Sequence, residues 1–471
     1  METIQGSEPR LSIPGKPYPV TTLGFPAEMI GPHQTYARVS EQIAEVPLRH
    51  PHQKLWLLGF APAFTLLLVF GIAVGYLLYR GVGIWGIQIP VAWGFAIVNF
   101  VWWIGIGHAG TFISAILLLL LQKWRTTINR FTEAMTLFAV ICAGMFPLLH
   151  LGRPWTFYFL LPYPDTMALW PQFRSPLVWD IFAVSTYFTV SLLFWYMGLL
   201  PDLATVRDKA RTKWKKILYG LGALGWRGSA RHWQNHQSAY LLLGGLATPL
   251  VLSVHSVVSF DFSVAQLPGW HSTIFPPYFV AGAIYSGFAM VLNLIIPIRR
   301  IFGFQDLITV RTLNNMACVT LATCWMVAYG YIMEAFMAWY SGDVFEMAMM
   351  RDRAFGYYGW VFWLLMTVNV VIPQLLWSRK VRTNDIALFF VALSANLGMW
   401  LERFVIVVQS LHHDFTPAKW ANFIPTIWDW ATLFGSIGLF LTLMFLFVRY
   451  FPMISVSESR ELIAQRKEGR L

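Results

Sequence analysis

The chain has 471 residues, of which 57% are hydrophobic and only 12% charged. Soluble domains carry about a quarter charged residues, so a water-soluble globular protein is excluded. The formal net charge of +11 points to membrane loops rather than to nucleic acid, because basic residues in such chains mark the loops on the cytoplasmic side.

Residues 1–54 are polar and Pro-rich and contain no apolar core of a signal peptide. They read as a cytoplasmic tail. Ten apolar stretches follow, at 55–79, 91–120, 131–149, 177–199, 240–260, 277–297, 312–339, 355–376, 386–409 and 426–449. Each supplies about 20 residues, enough for a helix to cross a hydrocarbon layer of roughly 30 Å. Residues 450–471 read as a second cytoplasmic tail. The expected fold class is thus an all-α membrane protein with one domain of ten transmembrane helices over 55–449.

Loops on the N-terminal side, together with both tails, hold 27 Lys and Arg, the opposite loops hold six, and Arg403 lies within a helix. This asymmetry predicts that both termini are cytoplasmic. The basic segment 207–216 after the fourth helix fits a solvated or headgroup-facing role. Cys142, Cys318 and Cys324 form no CxxC pair and give no disulfide or zinc framework; no metal site is expected.

A weak internal repeat is present. Ala109-Gly110-x-x-x-Ser114 in the second helix is matched by Ala281-Gly282-x-x-x-Ser286 in the sixth, Arg130-x4-Met135 by Arg311-x4-Met316, and Trp179 by Trp360. It predicts two similarly oriented four-helix bundles, helices 2–5 and 6–9, with helices 1 and 10 peripheral.

Ionisable groups inside a bilayer are costly and mark function by default. His150 ends the third helix, Asp180 lies in the first turn of the fourth and Asp261 ends the fifth. In the predicted topology all three reach the outer surface of one bundle. A quinol carries two hydroxyls on an apolar ring, and its oxidation releases two protons. A His and two carboxylates are suitable acceptors, and Trp155, Trp179 and Phe262 are aromatic neighbours able to clamp a ring. The competing structural reading makes Asp180 and Asp261 helix caps or partners of Arg153 and Arg174.

Electrons would have to leave through another subunit. The chain has no cluster-binding Cys motif. Among His108, His150 and His255 no pair matches well for a haem: His108 is ~25 Å from the outer start of its helix at 1.5 Å per residue, whereas His150 and His255 lie in the outer third. Neither haem nor an iron–sulfur cluster is expected in this chain. Glu334, Glu402 and Arg403 are further polar insertions. With His108 they form either a buried structural cluster or a proton route.

Two runs carry a resemblance. Pro147-Leu-Leu-His150-Leu-Gly-Arg153-Pro154-Trp155, with Trp170-Pro-Gln-Phe-Arg174-Ser-Pro176-Leu-Val-Trp179-Asp180, resembles the NrfD/PsrC-like family of quinone-binding membrane subunits. His255-Ser-Val-Val-Ser-Phe-Asp261-Phe262 and Pro268-Gly-Trp270-His271 resemble, within it, the ActC-type subunits of bacterial alternative complex III. The resemblance spans essentially the whole chain. It implies two four-helix bundles and a menaquinol or ubiquinol pocket near the periplasmic face at His150, Asp180 and Asp261. Arg153, Trp155, Trp179, His255 and Phe262 would support that pocket. It implies c-type haem subunits, a periplasmic iron–sulfur cluster subunit and a homologous NrfD-like membrane subunit as partners. It also implies residence among lipids in the bacterial inner membrane, with proton translocation as a further role. The alternatives are the anchor of a polysulfide- or sulfur-compound reductase, a non-quinol-binding subunit of the same fold, and a transporter. Transporter sites sit at mid-bilayer, whereas these acids cluster at one surface.

Overall fold

A computed structural model describes residues 29–161 and 175–468. The stretch Trp170–Arg174, including the expected ion-pair partner Arg174, lies outside the described residues. Among the described residues, ten helices are long and apolar enough to cross a membrane: Gln53–Arg80, Phe95–Leu119, Asn129–His150, Pro176–Lys209, Ala230–Ser263, Phe275–Ile301, Val310–Ser341, Gly359–Trp377, Asp385–Gln409 and Ile427–Tyr450. They are called spans 1 to 10. All ten fall where hydropathy places them. Spans 4 and 5 run about ten residues further than expected at the ends they share, near Lys209 and Ala230. Apolarity reports the bilayer, but nothing in Arg207-Asp208-Lys209 stops a helix at the membrane surface, so each continues by ~15 Å.

Two bundles are built from these spans. Span 2 packs on span 3, span 3 on span 4, span 4 on span 5, and span 5 returns to span 2. In the second bundle, span 6 packs on spans 7 and 9, and span 8 closes against spans 7 and 9. The repeat motif makes those contacts possible. Gly110 lies against Thr132 and Thr136 of span 3, and Gly282 against Met399 and Arg403 of span 9. Small residues let membrane helices approach where no hydrophobic force separates them from lipid. Spans 2 and 6 join the bundles, with Gly287 seated on Ala109. The central spans 2, 6 and 9 have 83, 78 and 83% of their apolar windows inside protein, against 17% for span 1, which pairs with span 10 at the periphery.

Helices flank the membrane domain at each end. Tyr36–Arg49 and Val456–Lys467, within the segments read as tails, pack at the end where span 3 begins. There Arg130 is ion-paired to Glu133 and Asp202 at 3.1 Å each and to Glu458 at 3.4 Å. The helix Lys213–Gly222 shows Trp214, Leu218 and Leu221 on its exposed side, a surface suited to headgroups. At the opposite end, Asp343 caps the helix Val344–Phe355. This helix is bound to the loop before span 6 through Glu346, whose carboxylate accepts the Gly269 N–H at 3.0 Å. Burial pushes the Glu346 carboxyl above its ordinary range, against the opposing pull of that hydrogen bond.

Candidate quinol site

His150, Asp180 and Asp261 stand at the ends of spans 3, 4 and 5 that face the same side of one bundle. His150 is the last residue of span 3. Span 4 starts with Pro176 in its first position, where a missing N–H costs nothing, and Asp180 follows one turn later. Asp261 stands in the last turn of span 5. Asp180 and Asp261 are 6 and 8% exposed, and their carboxyls are near enough to interact electrostatically. Neither acid caps its helix. Ser175 holds the N-cap position of span 4, and an acid in the last turn of span 5 opposes the helix dipole. Neither forms an ion pair with Arg153. Asp180 Oδ1, Asp261 Oδ1 and His150 Nδ1 are buried without a hydrogen-bond partner among the described residues. Buried polar atoms are nearly always satisfied, so these three atoms keep hydrogen-bonding capacity that no described residue uses.

Aromatic rings surround His150 and Phe262, the residue that follows Asp261. Trp93 stands edge-on to His150 with ring centres 6.5 Å apart, and to Phe262 at 6.1 Å. Trp270 packs on Phe262 at 4.9 Å and on Trp93 at 5.7 Å. Trp93 lies in the loop before span 2, and sequence reasoning missed it; the isolated Trp between Pro90 and Gly94 was the available signal. Trp179 is edge-on to Phe260 at 6.2 Å. Trp155 is 60% exposed, and Arg153 is exposed as well, so both stand at the rim rather than inside the buried group.

Deeper in the protein the aromatic contacts continue. Phe262 meets Phe279 at 5.7 Å, and Phe279 meets His255, also at 5.7 Å. His255 and His108 are 4.8 Å apart. This corrects the expectation that His108 lies far deeper than His255 and does not match it in depth. Span 2 begins at Phe95 rather than 91, and span 5 ends at Ser263 rather than 260, so both residues sit nearer one level than the sequence count implied. Both ring nitrogens of His255 are buried without partners among the described residues. His108 engages the Ile104 carbonyl at 2.6 Å and stacks on Tyr187 at 4.9 Å. The Tyr187 hydroxyl is 2.7 Å from that of Thr111.

Arg403 lies over the Phe279 ring at 4.1 Å and pairs with Glu402 at 2.7 Å. Glu402 also accepts from the Tyr331 hydroxyl. Glu334 is separate: it binds Arg353 at 2.5 Å, near the end that holds His150. A cavity of about 670 Å³ lies at the other end, among Arg125, Arg130, Arg207, His236 and Glu458. Its charged groups already bond one another, Arg125 and Arg130 both pairing with Glu458, and Leu118, Pro201, Trp226 and Trp233 supply apolar wall.

Comparison with known proteins agrees with this architecture. The profile of the NrfD family, described as polysulphide reductase, NrfD, matches residues 86–413, and the chain belongs to that family. It is 24% identical over 421 residues to a protein of Halobacterium salinarum provisionally named as the membrane subunit of a dimethyl sulfoxide reductase, covering 84% of this chain and 91% of the relative. It is 20% identical over 382 residues to a subunit of the selenate reductase of Mesobacillus selenatarsenatis, covering 77 and 86%. It is also 20% identical over 411 residues to the Hdr-like menaquinol oxidoreductase integral membrane subunit of Archaeoglobus fulgidus, covering 83 and 92%.

Proposed function

We propose that this chain is the quinol-binding membrane subunit of a multi-subunit oxidoreductase of the alternative complex III kind, and that it is inactive alone. The observation that supports the reading is that His150 Nδ1, Asp180 Oδ1 and Asp261 Oδ1, at three helix ends on one side of the bundle, are buried without partners among the described residues, with Trp93 against both His150 and Phe262. A relative named as a menaquinol oxidoreductase membrane subunit supports it. Quinol supplies two protons and two electrons. His150 accepts one hydroxyl proton at Nδ1, and the Asp180–Asp261 pair holds the other between its carboxyls. Trp93 and Phe262 orient the ring and exclude water.

The Lys and Arg asymmetry supports a periplasmic placement of this end and cytoplasmic termini, in a bacterial inner membrane. Electrons then leave to a periplasmic iron–sulfur subunit and onward to c-type haem subunits, beside a second NrfD-like membrane subunit. Menaquinol and ubiquinol both fit the residue types present. A proton route through His255, His108 and Tyr187, with the Glu402–Arg403 pair beside it, deepens the same reading. Glu334, held by Arg353, stands outside that line.

A second reading is favoured by the relatives named for dimethyl sulfoxide and selenate reductases: the same pocket would feed electrons from quinol to a reductase. Copurifying subunits distinguish the two. The pocket itself is tested by measuring quinone bound to the purified complex, and its titration with quinol, in wild type, Asp180→Asn and Asp261→Asn. Weakened binding or lost turnover in both variants is expected. Unchanged binding and turnover in both removes the pocket.

A further inference from the structure

Asp352, His412 and His413 form a second cluster of ligand-type side chains. It lies at the same end as His150, but on the other bundle. Asp352 belongs to the helix Val344–Phe355, and the two histidines follow span 9. His412 Nε2 is 3.1 Å from Asp352 Oδ2, and His413 Nδ1 is 3.2 Å from Oδ1. One ligand atom from each residue lies within 4.8 Å of the others. The imidazoles stack with ring centres 3.9 Å apart, and Trp420 covers the far face of His413 at 4.5 Å.

Proton positions turn this contact into a site. His412 Nδ1 is 2.7 Å from the Gln409 carbonyl oxygen, which can only accept, so Nδ1 carries the hydrogen. In the neutral ring Nε2 is then a lone pair, and it faces a carboxylate oxygen, which is another acceptor. His412 is fully buried, and Nε2 has no hydrogen-bond partner among the described residues. Two acceptors held at this distance repel each other unless a cation lies between them. An imidazole whose other nitrogen donates to a backbone carbonyl is also the usual outer-shell arrangement that orients a metal-binding His.

The surroundings hold this geometry. Gln409 Nε2 donates to the Arg353 carbonyl at 3.1 Å, and the Arg353 guanidinium donates to Ser410 Oγ at 2.9 Å. The backbone that carries Asp352 is therefore tied to the turn that carries His412. A π-bulge at Val405–Gln409 precedes that turn, and such bulges concentrate at functional places.

We propose that Asp352, His412 and His413 bind one divalent transition-metal ion of the zinc class, clamping the helix Val344–Phe355 to the end of span 9. Two imidazoles and a carboxylate suit zinc, whereas calcium and magnesium take oxygen donors. The half-buried His413 side leaves the remaining position for water or for a docked subunit.

The test uses the full-length chain in its complex, with any histidine tag removed, stripped with chelator and titrated with zinc chloride or cobalt chloride. Wild type should retain one zinc per chain by elemental mass spectrometry. Cobalt should give the visible bands of a low-coordinate ion. Asp352→Asn and His412→Gln should lose the ion. His413→Gln should lose it too, and its partial exposure makes misfolding a poor explanation. His271→Gln, an exposed histidine at the same end, should keep it. Absence of stoichiometric zinc in wild type, or its retention in both Asp352→Asn and His413→Gln, overturns the proposal. Such a result would leave an imidazolium–carboxylate ion pair in its place.

Discussion

Replacing Asp180 by Asn probes the pocket with the smallest structural change. Asn keeps the shape, and its amide can donate to the Asp261 carboxylate, so the contact between the two side chains survives. What disappears is a proton acceptor in a site where each acid is less than a tenth exposed. Removal of a general base is typically worth about 10²–10⁴ in rate. At 1.36 kcal/mol per decade this is about 3–5 kcal/mol of transition-state stabilisation. Thermal stability and subunit assembly should stay close to wild type, because no packing is lost and no charge is left newly unpaired. The assay is quinol oxidation by the assembled complex, with kcat and KM measured separately and Asp208→Asn, an exposed acid at the other end, as control. Asp261→Asn should behave alike. In the proposed mechanism the pair acts as a unit, so the double variant should fall little below the worse single variant. Near-normal turnover with normal quinol affinity in both single variants would refute the reasoning.

Other outcomes follow from the same structure. Arg130→Met should destabilise the chain by about 3–5 kcal/mol, since it leaves Glu133 and Asp202 buried without their cation; thermal denaturation of the complex measures this. Reporter fusions at the C-terminus should report a cytoplasmic location, and a periplasmic signal would reverse the placement of the pocket. Glu346→Gln should gain stability relative to wild type as pH rises. Burial raises the folded-state pKa of Glu346, so its stabilising contribution is present at acidic pH and is lost as pH climbs from the ordinary carboxylate range through the raised value. Denaturation midpoints of the two proteins across pH should diverge upward from that range and converge below it.

The ten spans were legible in the sequence because crossing a bilayer is a property of one segment: about 20 apolar residues suffice, whatever they touch. Residue type also placed His150, Asp180 and Asp261 at helix ends on one side, since alternation of spans fixes sides without fixing contacts. The two bundles were visible through the repeated Ala-Gly motif, whose glycines do pack within their own bundles. Other features needed the folded chain. The shared level of His108 and His255 depends on where each helix starts and how it tilts. Trp93 reaches His150 and Phe262 from a loop. Arg130 meets Glu458, and Asp352 meets His412, across long separations in sequence. Hydropathy and charge bias are sums over single residues. A side-chain meeting depends on the rotation, tilt and height of two helices together, which close seating such as that of Gly287 on Ala109 sets, and no local pattern encodes it.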